Sequence, residues 1–354
     1  MRTESFSEHL FESLLGTFNA LTVSLGDQLG LYDELHHRGP LTYDELAAGA
    51  GIDPRYAREW LEQQTVAGIL TCDDPSLPAD QRRYSVPEEH VPVIADQDDL
   101  SFFRPFLNAA AAAAQQLPAL VEAYRTGEGV PWHRYGDLMR SAQGLGNRPL
   151  FLNVLGQEWL PSIPDVHARL VAGGRVADVG CGDGWSTVGM ALAYPEITVD
   201  GFDIDKASVD AANSTAASYG LSDRVRVHLV DAAVVEGHPG YDLVTAFECV
   251  HDMGDPVSVL GHMRRIANEG GAVVVMDERV PDEFTGHGDP VEQLFYGFST
   301  LVCLPDGLSH DGSVGTGTVM RVDTLRRYAE EAGFSRLEVL PIEHETFRFY
   351  RLHP

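Results

Sequence analysis

The stretch from residue 174 to residue 184 constrains the fold of this chain more than any other segment. It reads Gly-Arg-Val-Ala-Asp-Val-Gly-Cys-Gly-Asp-Gly. An apolar run that carries Asp178 leads into a turn in which Gly180, Gly182 and Gly184 alternate. Glycine lacks a Cβ, so such a turn can bend sharply and let a ligand approach its backbone. The pattern predicts a buried strand, a ligand-binding turn and then a helix, which is the opening unit of an α/β fold.

The spacing of the glycines separates two kinds of ligand site. A dinucleotide fingerprint, Gly-x-Gly-x-x-Gly, needs its third glycine at residue 185, which is Trp185. The observed order, Asp178-x-Gly-x-Gly-x-Gly, resembles motif I of class I S-adenosylmethionine-dependent methyltransferases. That resemblance implies a Rossmann-like sheet of seven strands, mostly parallel, which a C-terminal antiparallel hairpin completes. The alternative is an ordinary turn between a strand and a helix.

Two further predicted strands also end in acidic residues. Residues 197–202 lead to Asp203-Ile-Asp205, and residues 225–230 lead to Asp231. A carboxylate at the tip of the second strand has two acceptor oxygens, which match the two ribose hydroxyls of a nucleoside. We therefore assign the ribose to Asp203 and the cap of the following helix to Asp205. In the methyltransferases that the chain resembles, the acid after the third strand accepts from the adenine amino group, which implies that role for Asp231.

Ligands of open α/β sheets bind at the carboxyl ends of the strands, so these strand ends should meet at one site. The resemblance implies that the cofactor is S-adenosylmethionine and that S-adenosylhomocysteine is its product. A fourth strand, residues 241–248, adds one more residue to that edge. The predicted cofactor-binding residues are Asp178, Gly180, Cys181, Gly182, Asp203, Ile204, Asp231, Ala232 and Phe247.

Composition excludes several classes of protein. The 354 residues have a net charge of −28, and such a surface repels nucleic acids and anionic membranes. No apolar run approaches the length of a membrane span, and the polar, acidic N-terminus does not resemble a signal peptide. The four cysteines are far apart and form no Cys-x-x-Cys pair, which argues against a zinc site or a disulfide framework. We therefore expect a reduced, cytoplasmic enzyme.

The N-terminal third predicts a winged-helix unit. Residues 8–37 show apolar periodicity of two helices with more apolar surface than one domain needs. Thr42 and Glu45 form a capping box that starts a third helix, and a further helix over 54–66 follows. Residues 69–72 and 82–86 have the pattern of a small hairpin. Helices followed by a small wing are typical of DNA-binding proteins, but also of dimerisation modules.

The charge of this segment distinguishes between DNA binding and dimerisation. Residues 1–95 contain six arginines, no lysine and sixteen acidic residues. A DNA reader must neutralise phosphates, and this segment lacks the positive charge to do so. The same arrangement resembles the dimerisation domain of small-molecule O-methyltransferases, which implies a homodimer. A winged-helix regulator that senses the cofactor is the alternative from another class.

The sequence predicts three parts: a winged-helix dimerisation domain over 1–95, a helical linker over 96–165 and a catalytic domain over 166–354. Aromatic residues are frequent in the linker, and they would either roof a substrate cavity or fill an ordinary core. These residues are Phe102, Phe103, Phe106, Trp132, Tyr135 and Trp159.

His251 is the best candidate for catalysis. It follows the fourth predicted strand, in the segment Cys-Val-His-Asp-Met-Gly-Asp over 249–255. This segment resembles the His-Asp-Trp segment of plant-type O-methyltransferases, with Met253 in place of the tryptophan, and in that family the histidine is the general base. Histidine titrates near neutral pH, so it suits removal of a hydroxyl proton. The alternative is a loop histidine that caps the next helix.

Acidic residues orient the histidine in the family that the segment resembles. By position, the matching residues are Asp252 and the acids after the fifth strand, Asp277 and Glu278. A solvated loop is the alternative for the latter two. A metal-dependent mechanism would need clustered oxygen ligands beside the methyl donor. No spacing in the sequence supports such a cluster, so no metal ligand is predicted.

Together these patterns predict transfer of a methyl group from S-adenosylmethionine to a hydroxyl of a small, apolar or aromatic acceptor of secondary metabolism. Methylation of carbon or nitrogen by positioning alone is the alternative reaction, and a non-catalytic binding protein is a further one. The segment 315–321, Gly-Thr-Gly-Thr-Val-Met-Arg, resembles a group of actinobacterial methyltransferases with an N-terminal winged helix. That resemblance is informative for fold and cofactor and says little about the acceptor.

Overall fold

The computed structural model describes residues 3–232, 240–286 and 288–354. Met1 and Arg2 of the predicted N-terminal domain lie outside the described residues. The chain divides into two units, one made of residues 1–112 and 141–149, the other of residues 113–140 and 150–354. The two units are described separately below.

The first unit begins with four helices and a small hairpin, as the sequence predicts. The helices are α1 (Thr3–Gln28), α2 (Leu31–Arg38), α3 (Tyr43–Ala50) and α4 (Pro54–Val66). The hairpin pairs β1 (Thr71–Cys72) with β2 (Tyr84–Ser85) in antiparallel register. Two helices follow, α5 (Val91–Ile94) and α6 (Arg104–Gln115), and the last residues of α6 belong to the second unit.

Local sequence signals explain where these helices begin. Thr42 and Glu45 form a reciprocal capping box at the start of α3. The Asp53 carboxylate accepts from two backbone N–H groups at the start of α4, where Pro54 occupies the first turn. Apolar residues of α2, α3 and α4 then form one buried cluster around Leu35 and Leu61.

The first helix leaves a large apolar face uncovered. Its apolar residues are between 40% and 61% exposed, although they recur with helical spacing. They are Phe6, Leu10, Phe11, Leu14, Leu15, Phe18, Leu21 and Leu25. Apolar patches of this extent on a soluble unit mark interaction surfaces, and the surplus of apolar surface agrees with the sequence pattern.

The middle of the chain is helical, as predicted. It contains α7 (Leu117–Thr126), α8 (Gly136–Leu150) and α9 (Pro164–Val171). The backbone between α8 and α9 winds as a π-helix over Phe151–Trp159. Pro149 lies at the end of α8, where its ring prevents a regular helical hydrogen bond, so the helix widens there.

A seven-stranded sheet organises the second unit and confirms the predicted fold class. Its strands are β3 (Arg175–Val179), β4 (Thr198–Asp203), β5 (Val225–Leu229), β6 (Tyr241–Phe247), β7 (Ala267–Glu278), β8 (Arg336–Val339) and β9 (Phe347–His353). Their order across the sheet is β5-β4-β3-β6-β7-β9-β8. The pairs from β5 to β7 are parallel, whereas β9 runs antiparallel to both of its neighbours.

Helices connect the strands and cover the sheet. They are α10 (Trp185–Ala193), α11 (Lys206–Ser218), α12 (Pro256–Ile266), α13 (Pro290–Phe298), α14 (Leu304–Leu308) and α15 (Val322–Glu331). A second π-helical segment, Ser299–Cys303, joins α13 to α14. Among the described helices, none combines the length and the apolar character that crossing a membrane requires.

Successive side chains of β3 pack into two buried layers, one on each face of the sheet. Val176 packs into the cluster that includes α9 and α10, while Ala177 and Val179 pack into the cluster that includes α12 and α15. Side chains alternate between the faces of a strand, so Asp178 points to the same side as Val176. The carboxyl ends of β3, β4, β5 and β6 therefore lie along one edge, where the predicted site residues stand.

Candidate active site

The three glycines of the turn after β3 differ in what surrounds them. Gly180, Gly182 and Gly184 have φ values of 66°, 52° and 81°, a region that L-residues rarely adopt. A Cβ on Gly180 would lie 2.7 Å from the Sγ of Cys249, and one on Gly184 would lie 2.8 Å from Ala212. A Cβ on Gly182 would meet no atom of the described residues within 4 Å. The turn is thus packed at both ends and open at Gly182, where a ligand can reach the backbone.

Asp178 is a buried brace behind this turn. Its carboxylate accepts hydrogen bonds from the Ser186 hydroxyl at 2.6 Å and from the Thr245 hydroxyl at 2.7 Å. Burial raises the pKa of Asp178 to about 6, although these two hydrogen bonds act in the opposite direction. Both oxygens are therefore engaged by α10 and β6, and the side chain fixes the position of the turn.

Asp203 links the end of β4 to the open glycine. The N–H of Gly182 donates to its Oδ2 at 2.9 Å, and the N–H of Asp205 donates to its Oδ1 at 2.8 Å. Burial raises the pKa of Asp203. The Asp205 carboxylate caps α11 by accepting from the N–H of Ser208, which confirms the predicted cap.

Acidic groups outnumber basic ones around the open glycine. Asp183 is half-buried, and burial together with the charges of Asp203 and Asp205 raises its pKa to about 6 against the attraction of Arg140. The Arg140 guanidinium donates to Asp205 at 2.8 Å. The sequence reading missed Arg140, because 65 residues separate it from Asp205. This set of carboxylates suits a ligand that carries hydroxyls and positive charge.

The other predicted cofactor residues fall into three groups. Phe247 is buried at the end of β6, where its ring stacks on Phe151 at 5.9 Å, and Ala232 is buried as well. Ile204 and Asp231 are exposed at the same edge of the sheet. The side chain of Cys181 packs instead with three apolar residues under α11, so only its backbone faces the turn. Those residues are Val209, Ala212 and Val227.

The backbone is strained directly ahead of the candidate base. Glu248 has a φ of 54° and is, among the described residues, the one residue other than glycine with positive φ. Its N–H donates to the carbonyl of Met276 in β7 at 2.8 Å, which holds the bend at the end of β6. Such a conformation costs about 1–3 kcal/mol and is typical of functional sites. It turns the chain into the short 3₁₀ segment Val250–Asp252, which carries His251.

His251 stands between carboxyl groups on both sides of its ring. Its Nδ1 lies 2.7 Å from Asp277 Oδ1 and 2.9 Å from Glu278 Oε2, at the end of β7. Its Nε2 lies 3.2 Å from Asp252 Oδ1. The imidazole is 2% exposed. The structure thus brings together the four residues that the sequence predicts for catalysis.

The charges of this cluster are coupled. Burial opposes protonation of His251, but the carboxyls of Asp252, Glu278 and Asp277 outweigh it and raise the pKa of the imidazole well above its ordinary value. Burial also raises the pKa of Glu278 well above its usual range. For Asp277, burial acts upward, yet the imidazole and the hydrogen bonds hold its pKa below the ordinary value. The imidazole and the buried carboxyls therefore titrate as one coupled set, in which the imidazole keeps its proton to higher pH than a free histidine.

Three further residues lie near the segment that carries His251 and Asp252, and the sequence reading missed all of them. Cys303, in the second π-helical segment, has its Sγ within 4.8 Å of the ligand atoms of His251 and Asp252. Burial raises the pKa of this thiol to about 12. The Thr318 hydroxyl is buried beside the same thiol. Asp306, in α14, accepts from the N–H of Trp132 at 2.7 Å.

Part of the predicted roof does lie near this cluster. The Tyr135 hydroxyl donates to the carbonyl of Leu301 at 2.8 Å, and burial raises its pKa, with the charge of Asp306 adding to the effect. Trp159 packs instead against Phe349 in the core. Phe102, Phe103 and Phe106 belong to the first unit.

His251 belongs to both groups of potential metal ligands that the described residues contain. Two groups have ligand atoms within 4.8 Å of one another, namely His251 with Asp277 and Glu278, and His251 with Asp252 and Cys303. In the first group, Nδ1 lies within 2.9 Å of an oxygen of each carboxyl, a distance at which hydrogen bonds hold the group together without an ion. The absence of a metal ligand therefore stays a prediction.

Two surface cavities lie away from these residues. One, of about 440 Å³, is lined by residues of α9 and by the chain between α10 and β4, at the sheet edge opposite the glycine turn. The other, of about 340 Å³, is lined by Phe284, Glu292 and Tyr296 among others. The candidate site lies instead at the carboxyl ends of the strands, where polar side chains converge. Among the described residues, neither cavity contains a hydrogen-bonded cluster like that at His251.

Comparison with known families gives two matches along the chain. Residues 170–303 match the family described as methyltransferase domain. Residues 17–95 match the family described as Rv2258c-like winged HTH domain. The first match spans the glycine turn and His251, and the second spans the winged helix.

Individual proteins agree with these matches. A ubiquinone biosynthesis O-methyltransferase of Nitrosospira multiformis is 31% identical over 51% of this chain and 70% of its own length. The 27-O-demethylrifamycin SV methyltransferase of Amycolatopsis mediterranei is 30% identical over 40% of this chain, and the chain spans only 53% of its length. The structure of human N-acetylserotonin methyltransferase with S-adenosylmethionine aligns with a TM-score of 0.71 and 16% identity, over 100% of this chain and 99% of that one.

Proposed function

We propose that this chain, which belongs to the S-adenosylmethionine-dependent methyltransferases, transfers a methyl group to a hydroxyl oxygen of a small organic acceptor, with His251 as general base. The observation that carries this proposal is the buried pair of His251 and Asp277, 2.7 Å apart at the end of β6 and β7. A hydroxyl is a weak nucleophile until it loses its proton, and a positioned imidazole at the methyl-transfer edge supplies that step.

The residues of the glycine turn fit the cofactor. S-adenosylmethionine supplies a methyl group on a positively charged sulfur, and it carries a ribose and an ammonium group. We propose that Asp203 accepts from the ribose hydroxyls, that the open backbone at Gly182 lies against the ligand, and that Asp231 accepts from the adenine. Asp178 then acts as the brace of the turn, since Ser186 and Thr245 already engage its oxygens.

The imidazole must be neutral to act as a base. Asp277 fixes the ring through Nδ1, which leaves Nε2 to face the acceptor. The same carboxyls hold a proton on the ring, so we expect activity to rise with pH as that proton leaves. A general base contributes roughly 10²–10⁴-fold, and alignment of the reacting atoms supplies much of the remainder.

For the acceptor, we propose a small aromatic hydroxyl compound of secondary metabolism. The names of two relatives, a rifamycin methyltransferase and a ubiquinone methyltransferase, specify oxygen as the atom methylated in those proteins. Transfer to carbon or nitrogen is the alternative, and it needs no base. Loss of His251 would leave such a reaction nearly intact, which makes that variant the discriminating one.

We propose that the three parts of the chain have separate tasks: residues 1–95 dimerise, residues 96–165 shape the acceptor cavity and residues 166–354 bind the cofactor. The exposed apolar face of α1 supports a homodimer. Leu14→Glu should produce a monomer by analytical ultracentrifugation, because it places a charge within that face. Ser13→Glu, on an exposed polar position of the same helix, should remain dimeric. A wild-type protein that sediments as a monomer would contradict this part of the proposal.

Titration calorimetry with S-adenosylmethionine and S-adenosylhomocysteine tests the cofactor site first. We expect roughly micromolar affinity in the wild type and loss of at least about 100-fold in Asp203→Ala, since two charge-assisted hydrogen bonds disappear. Asp210→Ala is the matched control, because Asp210 is exposed and pairs with the exposed Lys206. Absence of binding in freshly purified wild-type protein would remove the proposed function.

A further inference from the structure

Two carboxyl groups stand on the acceptor side of His251. Asp252 Oδ1 lies 3.2 Å from Nε2 of the imidazole. Asp306, brought in by α14, is 9% exposed. The next residue of that helix, Gly307, packs against the Asp252 backbone, where an added Cβ would lie 3.3 Å from the Asp252 carbonyl oxygen. Burial and the charge of Asp252 raise the pKa of Asp306 to about 7, while the N–H of Trp132 acts in the opposite direction. Two acids from distant parts of the sequence thus share one poorly solvated space.

Positive charge does not balance this pair. In the described part of the chain, Asp306 forms no ion pair with arginine or lysine, and the second charge that acts on it is another acid, Asp205. Asp252 has the imidazole of His251 as its ion-pair partner, and that imidazole also serves Asp277 and Glu278. The space therefore keeps an excess of negative charge, which buried groups avoid unless a ligand compensates it.

A buried hydroxyl group points to the same conclusion independently of charge. The Thr318 hydroxyl is 1% exposed and lies beside the Cys303 thiol, whose Sγ is within 4.8 Å of a carboxylate oxygen of Asp252. Among the described residues, its oxygen has no hydrogen-bond partner of good geometry. An unsatisfied buried polar group costs about 1–3 kcal/mol, so a ligand that brings hydrogen-bond donors into this space would recover that cost.

We propose that Asp252 and Asp306 form a binding subsite for a protonated amine of the acceptor, next to the hydroxyl that is methylated. An ammonium group brings one positive charge and up to three donors, which is what the two carboxyls and the Thr318 oxygen lack. This inference rests on the proposed function in one respect, namely that the space beside His251 Nε2 receives the acceptor.

The subsite also couples acceptor binding to the state of the base. In the resting protein, Asp252 helps to hold the proton on His251. An ammonium at Asp252 and Asp306 takes over as the countercharge of those carboxyls, so the imidazolium loses part of its stabilisation and releases its Nε2 proton to solvent. The neutral ring can then accept the hydroxyl proton of the same acceptor. An acceptor without the amine leaves His251 protonated to higher pH.

Charge-matched ligands test the subsite directly. The probes are three hydroxylated scaffolds, phenol, naphthol and hydroxyindole, each with an aminoethyl, an ethyl or a carboxymethyl side chain. Dissociation constants are measured by calorimetry on protein with and without S-adenosylhomocysteine. On at least one scaffold, we expect the aminoethyl compound to bind about tenfold or more tighter than the ethyl compound, and the carboxymethyl compound to bind weakest.

A substitution tests whether Asp306 causes the preference for the aminoethyl compound. Asp306→Asn keeps an oxygen for the N–H of Trp132 but removes the charge, so the aminoethyl compound should lose its advantage while affinity for S-adenosylmethionine is unchanged. Asp311→Asn, on an exposed position of the same segment, should keep the wild-type preference.

Several results would overturn the proposal: equal binding of the aminoethyl and ethyl compounds, an unchanged preference in Asp306→Asn, or no binding of any probe. Titration with Co²⁺ tests whether a metal ion occupies this space. A thiolate charge-transfer band that is lost in Cys303→Ser would assign the space to a metal instead. The amine preference is measured without methyl transfer. A protein that keeps it but binds no S-adenosylmethionine would therefore disprove the proposed function and not the subsite.

Discussion

The glycine turn and the His251 cluster are both built from buried acids at strand ends, but their partners differ. At the turn, Asp178 and Asp203 accept from hydroxyls and backbone N–H groups, which are neutral. In the cluster, Asp277 and Asp252 lie on either side of one imidazole, a group that can itself carry a charge.

This difference separates binding from proton handling. Neutral donors fix the position of a carboxylate and leave its negative charge available to a ligand, which suits a positively charged cofactor. A charged partner couples the protonation of every member, so removal of one group changes the pKa of the others. Substitutions at the turn should therefore change affinity, whereas substitutions in the cluster should change rate and its dependence on pH.

The largest effect is expected for His251→Ala. Methyl transfer to a hydroxyl acceptor should fall roughly 10²–10⁴-fold in kcat, because the base is lost, while the affinity for S-adenosylmethionine stays within about twofold. Release of S-adenosylhomocysteine measures the rate, and calorimetry measures the affinity. His251→Gln keeps more of the buried volume and guards against misfolding. A fall of less than about tenfold would favour methylation by positioning alone and would erase the distinction between the two regions.

Two glycine substitutions test the turn. Gly182→Ala should reduce the affinity for S-adenosylmethionine at least tenfold, since its Cβ would fill the space left open for the ligand. Its cost in folding should be about 1–2 kcal/mol, which is the ordinary penalty of positive φ. Gly180→Ala should cost more in stability, because its Cβ would also collide with Cys249. Thermal unfolding and calorimetry separate these outcomes, and equal loss of stability in both variants would contradict them.

The pH dependence of the rate tests the charge coupling of the cluster. Since the pKa of His251 is raised and the neutral ring is the active form, kcat/KM should rise with pH through a midpoint above 6.5. Asp277→Asn removes the nearest carboxylate and should lower that midpoint by about one unit or more. Glu278→Gln should also lower it, because the Glu278 carboxyl raises the pKa of the imidazole as well. Equal midpoints in all three proteins would exclude His251 as the group that titrates.

Local pattern made most of the glycine turn and the first half of the cluster predictable. Strand, glycine turn and acid follow one another within a few residues, so Asp178, Gly182 and Asp203 are visible in the sequence. His251 is visible for the same reason, since it follows a strand. The orientation of Cys181 was not predictable, because a tight turn sends successive side chains to different sides.

Contacts between distant segments limited the rest. Arg140, Cys303 and Asp306 reach the site from helices that precede or follow the strands by many residues, and no spacing rule connects them. The left-handed conformation of Glu248 has no sequence signature either, since glycine and asparagine are the usual residues there. Charge coupling in the cluster depends on these distances, so it became apparent only from the structure.

The smallest effect concerns stability, and it compares the same two regions by pH. The pKa of Asp178 is raised to about 6, so its contribution to stability is complete below its unfolded value near 4 and is lost as the pH rises through 6. The pKa of His251 is also raised, but its contribution is complete below about 6.5 and is lost only at higher pH. The free energy of unfolding of the wild type should therefore fall by about 2 kcal/mol between pH 4.5 and 7 because of this residue, and Asp178→Asn should not show that fall. Beyond pH 7 it should leave the slope of stability against pH unchanged, since that part belongs to His251.

Urea unfolding at pH 4.5, 5.5, 7 and 8.5 measures both pH windows, with Asp210→Asn as the exposed control. Parallel curves for wild type and Asp178→Asn below pH 7 would mean that the hydroxyls of Ser186 and Thr245 keep the carboxylate charged. The glycine turn would then hold a charged group, as the His251 cluster does.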